Sequence, residues 1–259
     1  MLLALDFDGV LCDGMLEYWQ VAWRTYCKVW LNSETTAPSE IAPIFYQLRP
    51  VVETGWEMPV LVKAILEGFS PSEILTNWQA IAEKSVADSP TTPAQLSANL
   101  DAIRDRWIEQ DLDSWLALHR FYAGVVPRLQ QWVNKSALCF IITTKEARFT
   151  AQLLADAGID FPRDRIFGKE VKCPKYQTLE ELAEKYQVDF SQIHFVEDRL
   201  KTLISVKNRP NLAPVNLYLA DWGYNTASDR DRAQNDPRIH LLSLDRFANS
   251  VSSWSQEVR

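Results

Sequence analysis

Asp6 and Asp8 stand two residues apart in "LLALDFDGVLCD", directly behind a continuous apolar run. Such a run suits a strand buried on both faces. Two neighbouring acids at its end repel each other and cost stability unless a cation or a reaction uses them. A hard divalent ion such as Mg²⁺, bound by one or two carboxylates with water and substrate phosphate oxygens, would offset that repulsion. The plainer alternative is a surface turn, since Asp and Gly are common turn residues. Recurrence of the pattern along the chain decides between the two.

Three further runs end in groups of matching chemistry. "LCFIITTK" closes on Thr143 and Thr144, whose hydroxyls can donate to a bound anion, with Lys145 just beyond. In "KEVKCPKYQTLEELAEKY", Pro174 suits a helix start, and Leu179, Leu182 and Tyr186 form the apolar stripe. Lys175 then sits where it opposes the helix dipole, a position better explained by an anion that it must hold; Lys172 is the alternative. "IHFVEDR" is another apolar run ending in paired acids, Glu197 and Asp198. Each group has a plain reading as a turn or a cap, but together they would converge on one edge of one sheet.

The elements that must position these groups are legible in outline. From residue 122 onward short apolar runs alternate with amphipathic stretches, which predicts a parallel sheet covered by helices in a Rossmann-like α/β core. Residues 14–121 read instead as an all-helical insert after the first strand: Leu16, Trp19, Trp23, Tyr26 and Trp30 recur at helical spacing, and Pro and Ser separate the later helical stretches. Residues 1–13 and 122–259 would form the core. An insert leaving the carboxyl edge of such a sheet is placed as a lid over the ligand crevice. Seven of the ten Trp (19, 23, 30, 56, 78, 107 and 115) lie in it, for the most part as expected core packing. Its most conspicuous non-helical element, "RPVVETGWEMP", gathers Arg49, Glu53, Trp56 and Glu57. There Arg49 would pair with a substrate carboxylate or second phosphate, and Trp56 would stack on or close over the substrate.

The 259 residues carry a formal charge of -7 with scattered Lys and Arg, which argues against nucleic-acid and anionic-membrane partners. The opening apolar run is too short for a signal peptide and no later run is long enough to span a bilayer, so a cytoplasmic protein is expected. Cys12, Cys27, Cys139 and Cys173 lack metal-ligand spacing and read as free thiols.

Taken in order, "DFDGVL", "IITT", the Lys172/Lys175 region and "VEDR" resemble the four motifs of the haloacid dehalogenase-like hydrolase superfamily. "YAGVVPRLQQWVNKSALCFIITTK", "LLADAGIDFPRDRIFG" and "ADWGYNT" resemble its phosphoglycolate phosphatase and β-phosphoglucomutase-like branch, whose helical cap follows the first motif. The resemblance implies that Asp6 is the nucleophile forming an aspartyl-phosphate, and that Asp8 is the acid and base. It implies that Thr143 and Lys175 hold the transferring phosphoryl group, with Thr144, Lys145 and Lys172 as further substrate contacts. Mg²⁺ would be held by Asp6, the Asp8 carbonyl and Asp198, with Glu197 as a further candidate. The substrate would be a small phosphorylated metabolite. One departure is that Thr202 and Leu203 stand where the superfamily often has a second spaced acid in its fourth motif; Glu197 is the available substitute. Asp8 argues for a phosphate ester over a carbon–halogen bond, because a halide leaves without protonation. A phosphomutase and a non-catalytic binding protein on the same fold are the alternatives.

Overall fold

The computed structural model describes residues 1–33, 35–135 and 137–254. They form two compact units, Met1–Asp13 with the chain from Arg120 onward, and Gly14–His119 between them in sequence.

The first unit contains strands β1 (Leu2–Leu5), β2 (Cys12–Asp13), β3 (Arg120–Phe121), β4 (Leu138–Ile142), β5 (Ile166–Phe167), β6 (Ile193–Glu197), β7 (Asn216–Ala220) and β8 (Ile239–Leu242). Six of them build one sheet in the order β5-β4-β1-β6-β7-β8, parallel at every pairing. β1 is central, and all four of its residues are fully buried, as its continuous apolar sequence requires. The chain runs outward from β1 through β4 to β5, then crosses to β6 and runs outward again. That reversal opens a crevice at the carboxyl ends of the central strands. Leu5 is in register with Ile141 of β4 and Val196 of β6, so Asp6, Thr143 and Glu197 leave the sheet on the same edge.

The second unit is helical: α1 (Met15–Tyr26), α2 (Ile41–Leu48), α3 (Glu57–Leu66), α4 (Pro71–Ala87), α5 (Pro93–Gln110) and α6 (Leu112–Leu116). Ser70 with Glu73 and Thr92 with Gln95 form capping boxes that start α4 and α5, each with Pro at the first helical position. α1 runs into a π-helical turn, Cys27–Leu31, which ends at left-handed Asn32. Trp19, Trp78 and Trp115 are buried, whereas Trp23, Trp30, Trp56 and Trp107 are half-buried, so fewer of the seven indoles belong to the core than their helical spacing suggests. Glu17 is wholly buried at the start of α1; it accepts two hydrogen bonds from Arg104 and one from Trp115, which compensate the burial of its charge.

Helices α7 (Val125–Asn134), α8 (Ala147–Asp156), α9 (Lys175–Tyr186), α10 (Leu200–Lys207), α11 (Ala227–Gln234) and α12 (Leu244–Phe247) complete the first unit. Leu179 and Leu182 of α9 and Leu203 of α10 pack with Phe140 and Phe195 in its core. The sequence shows no strand between β1 and residue 122, yet Cys12–Asp13 pairs antiparallel with Arg120–Phe121. Two-residue strands are too short to display alternation, and this pairing brings Arg120 and Phe121 into the sheet-bearing unit. Among the described residues no helix is long and apolar enough to cross a membrane.

Candidate active site

Asp6 extends β1 by one residue, its N–H donating to the Val196 carbonyl at 2.9 Å. The chain then turns back, with the N–H groups of Leu11 and Cys12 donating to the Phe7 carbonyl and Gly9 at φ 86°. That positive φ is one glycine adopts at little cost. The turn leaves Asp8 partly open, its side chain 14% exposed, while Asp6 is buried. Thr143, the residue after β4, donates its N–H to the Phe167 carbonyl, and its Oγ1 accepts from Lys145 N at 3.1 Å. The hydroxyl proton stays available for an anion.

Lys175 is the first residue of α9, with Pro174 as the cap one position earlier. Its Nζ lies 2.7 Å from Asp6 Oδ1 and 2.7 Å from Glu197 Oε2. The other Glu197 oxygen accepts from the N–H groups of Asp198 and Arg199 at 3.1 and 3.0 Å. Oxygens of Asp6, Glu197 and Asp198 lie within 4.8 Å of one another, and all three residues are buried. Three buried carboxylates against one ammonium leave an excess of negative charge. A divalent cation fits this donor set of hard oxygens.

The electrostatics follow from that crowding. Burial pushes the Asp6 carboxyl up from 3.8 to about 7; Lys175 opposes the shift, while Glu197 and Asp8 add to it. Asp198 is also raised, by burial first and then by Glu197 and Asp6. Burial works against the Lys175 charge, but Asp6 and Glu197 more than compensate and raise it above the ordinary lysine range. A carboxyl held above its unfolded value binds its proton more tightly when folded. Its contribution to stability is therefore full at low pH and is lost as pH rises from 3.8 to about 7. A cation that replaces the proton should then raise Tm more above pH 7 than below pH 4; thermal melts with and without Mg²⁺ across that range check this.

Asp198 is fixed by the segment "ADWGYNT", which holds none of the candidate site residues read from the sequence. Tyr224 N–H donates to Asp198 Oδ2 at 2.7 Å, and Asn225 Nδ2 donates to the Asp198 carbonyl and to that of Ala220. Tyr224 OH reaches Asp13 Oδ1 at 2.7 Å, and Trp222 Nε1 donates to the Val10 carbonyl. Gly223 lets the two loops approach: a Cβ there would lie 2.3 Å from Asp198 Cβ and 2.6 Å from the Gly9 carbonyl oxygen. Gly223→Ala must displace Asp198. The expected outcome is Mg²⁺ affinity weakened by roughly 10–100-fold, the range for lost supports of metal ligands, read from the Mg²⁺ dependence of the thermal midpoint.

The remaining sequence-derived candidates are distributed unevenly. Lys145 Nζ is 3.1 Å from Asp8 Oδ1 with its side chain 6% exposed, so it sits against the second acid of the pair. Thr144 is exposed. Lys172, the sequence alternative to Lys175, does not reach the site: it is exposed in a left-handed turn (φ 55°) before α9 begins, and among the described residues it pairs with none of the four acids. The chain reverses at Lys172, and Lys175 is the one that reaches the carboxylates. No acid comes from α10, where Leu203 is core and Thr202 is half-buried.

Arg49 and Trp56 lie in the helical unit, between α2 and α3. The Arg49 guanidinium donates to the Val52 carbonyl at 3.1 Å and stacks over Tyr18 at 4.7 Å. Glu57, grouped with them on sequence, is buried and accepts from the N–H groups of Glu53 and Thr54, the Thr54 hydroxyl and the Trp78 indole. It holds its own turn together.

No protein-family model matches the chain, and no curated protein matches its sequence. Solved structures do. A predicted phosphatase from Clostridium acetobutylicum is similar at 14% identity and TM-score 0.57, with 95% of each chain covered. A predicted phosphoglycolate phosphatase from Haemophilus somnus 129pt is similar at 16% identity and TM-score 0.56, with 86% of each covered. A haloacid dehalogenase-like family hydrolase from Streptococcus pneumoniae is similar at 13% identity and TM-score 0.51, over 93% of this chain and 92% of the other. On this likeness and the topology of its sheet, the chain has the fold of the haloacid dehalogenase-like hydrolases.

Proposed function

We propose that the protein is a Mg²⁺-dependent phosphatase that hydrolyses a small phosphate monoester through an aspartyl-phosphate on Asp6. The observation that carries this reading is the bridge from Lys175 to Asp6 and Glu197, with Asp198 beside them and Asp8 one turn away at the crevice. The similar solved structures described as phosphatases support it.

In the first step an Asp6 oxygen attacks phosphorus, the ester P–O bond breaks, and its electron pair leaves on the alcohol oxygen, which takes a proton from Asp8. In the second step water attacks the same phosphorus and gives its proton to the Asp8 carboxylate, and the bond to Asp6 breaks. Lys175 and the Thr143 hydroxyl hold the non-bridging oxygens throughout. Lys145, against Asp8, holds that side chain at the crevice and is a second cation for an incoming phosphate. When bound by Asp6, Asp198 and the Asp8 carbonyl, with Glu197 nearby, Mg²⁺ supplies the positive charge that lets a carboxylate approach an anionic phosphate. The helical unit would act as the cap that selects the leaving group, Arg49 and Trp56 being its candidate substrate contacts.

Hydrolysis of p-nitrophenyl phosphate tests the reading. Turnover with Mg²⁺, its loss on chelation and its return on adding Mg²⁺ back are expected. A folded, Mg²⁺-binding chain with no turnover on this ester or across a panel of phosphorylated metabolites would sink it.

A further inference from the structure

The helical unit contains a cavity of about 450 Å³ lined by Arg24 of α1, Lys28 of the π-helical turn, Asn32 and Ser33 behind it, and Arg106 and Trp107 of α5. All of its lining residues belong to Gly14–His119. The concentration of charge is against the trend of the unit. Residues 14–119 contain seven Lys and Arg against fourteen Asp and Glu, yet three of the seven cations line this cavity and, among the described residues, none of the acids does.

We propose that this cavity is an oxyanion site for a small molecule bearing a diphosphate or two phosphate groups. The Arg24 guanidinium lies 3.9 Å from the centre of the Trp107 ring. Stacking fixes its plane and leaves its N–H edge free to meet two oxygens side by side. Trp107 is itself held by a 2.7 Å hydrogen bond from its Nε1 to Ser114 Oγ. Among the described residues Lys28 and Arg106 form no ion pair, so their charge is not spent within the protein. Three cations call for a ligand carrying more than one negative charge, and the cavity has the volume of an ordinary small-molecule site.

The backbone supplies a second, independent sign. α1 widens into the π-helical turn Cys27–Leu31 and stops at Asn32 with φ 51°. π-helical turns are rare, cost free energy and are frequently found at functional sites, and a left-handed non-glycine residue adds to that cost. Here they bring Lys28, Asn32 and Ser33 into the lining of the cavity.

Calorimetric titration of inorganic pyrophosphate into the full chain, freed of metal, tests the proposal without using phosphatase activity. Saturable binding is expected in the wild type and equally in Asp6→Asn, weakened about tenfold or more by Lys28→Gln and by Arg106→Gln. Both side chains are exposed, so an unchanged Tm is expected to accompany the loss. Arg24→Lys keeps the charge but not the planar edge and should also weaken binding. Absence of binding heat at millimolar pyrophosphate, equal affinity in Lys28→Gln and Arg106→Gln, or loss only in Asp6→Asn would each overturn it. Because Asp6→Asn removes the proposed nucleophile and leaves this cavity intact, failure of the phosphatase reading and failure of this one are distinguishable.

Discussion

Asp6→Asn is expected to remove phosphate release from p-nitrophenyl phosphate by a factor on the order of 10⁴ or more, the scale on which loss of a nucleophile is felt in enzymes whose groups act as a unit. The substitution changes almost nothing else. Asn has the same size, its carbonyl can still accept from Lys175, and it removes one charge from a crowded buried cluster in which the carboxyl is already pushed up to about 7. The metal-free variant should therefore melt at or above the wild-type temperature while being inactive. Steady-state rates alongside thermal melts check both halves; a rate within about tenfold of wild type would assign the nucleophile elsewhere.

Lys175→Met is expected to damage stability as well as rate. The ammonium is the one cation within hydrogen-bonding distance of Asp6 and Glu197 among the described residues, and the three side chains are 13%, 9% and 1% exposed. Removing one partner of a buried ion pair leaves uncompensated charge, at a cost of about 3–5 kcal/mol. For a chain of this size that corresponds to a fall in Tm on the order of 10 °C. Two changes soften the loss in the metal-free chain: Asp6 takes up a proton more readily, and lower pH favours that form. The deficit should accordingly be largest above pH 7 and shrink when Mg²⁺ is added, as thermal melts in a pH series would show. Activity should not return with Mg²⁺, because the oxygens of the phosphoryl group still lack their lysine.

The residues that a reader of the sequence can find are those at the ends of long apolar runs. Asp6, Thr143, Glu197 and Asp198 follow β1, β4 and β6, whose buried residues leave continuous hydrophobic stretches, and the register Leu5–Ile141 and Leu5–Val196 then brings them together. Lys175 against Lys172 is a closer matter. Both are lysines near a helix start, and only the left-handed turn at Lys172 separates them. Tyr224 and Asn225 escape a reading by residue type because Tyr224 grips Asp198 through its backbone N–H, and a backbone donor carries no residue signature. Gly9 and Gly223 are the trace of that grip in the sequence, because a Cβ at either would collide with Asp198. The helical unit is legible as helices but not as chemistry. Glu57 looks like a free loop acid and is a buried acceptor, while the π-helical turn at Cys27–Leu31 is hidden by the ordinary helical spacing that runs on through Trp30.

Asp198 and Glu197 also differ in what the sequence implies for them and what surrounds them. The family resemblance implies Asp198 as a metal ligand and Glu197 as a further candidate beside it. In the fold Glu197 has one oxygen on Lys175 and the other on two backbone N–H groups, whereas Asp198 has one oxygen on Tyr224 N–H. The Glu197 side chain thus orients the lysine that touches Asp6, a contact independent of any metal.

Whether Asp6 carries the phosphoryl group is decided by rapid acid quenching of the enzyme during turnover of p-nitrophenyl phosphate with Mg²⁺, followed by peptide mass spectrometry. One phosphoryl group is expected on the peptide containing Asp6, formed at a rate at least equal to turnover and absent in Asp6→Asn. Phosphate release at full rate with that peptide unmodified, or with the phosphoryl group on another residue, would contradict it.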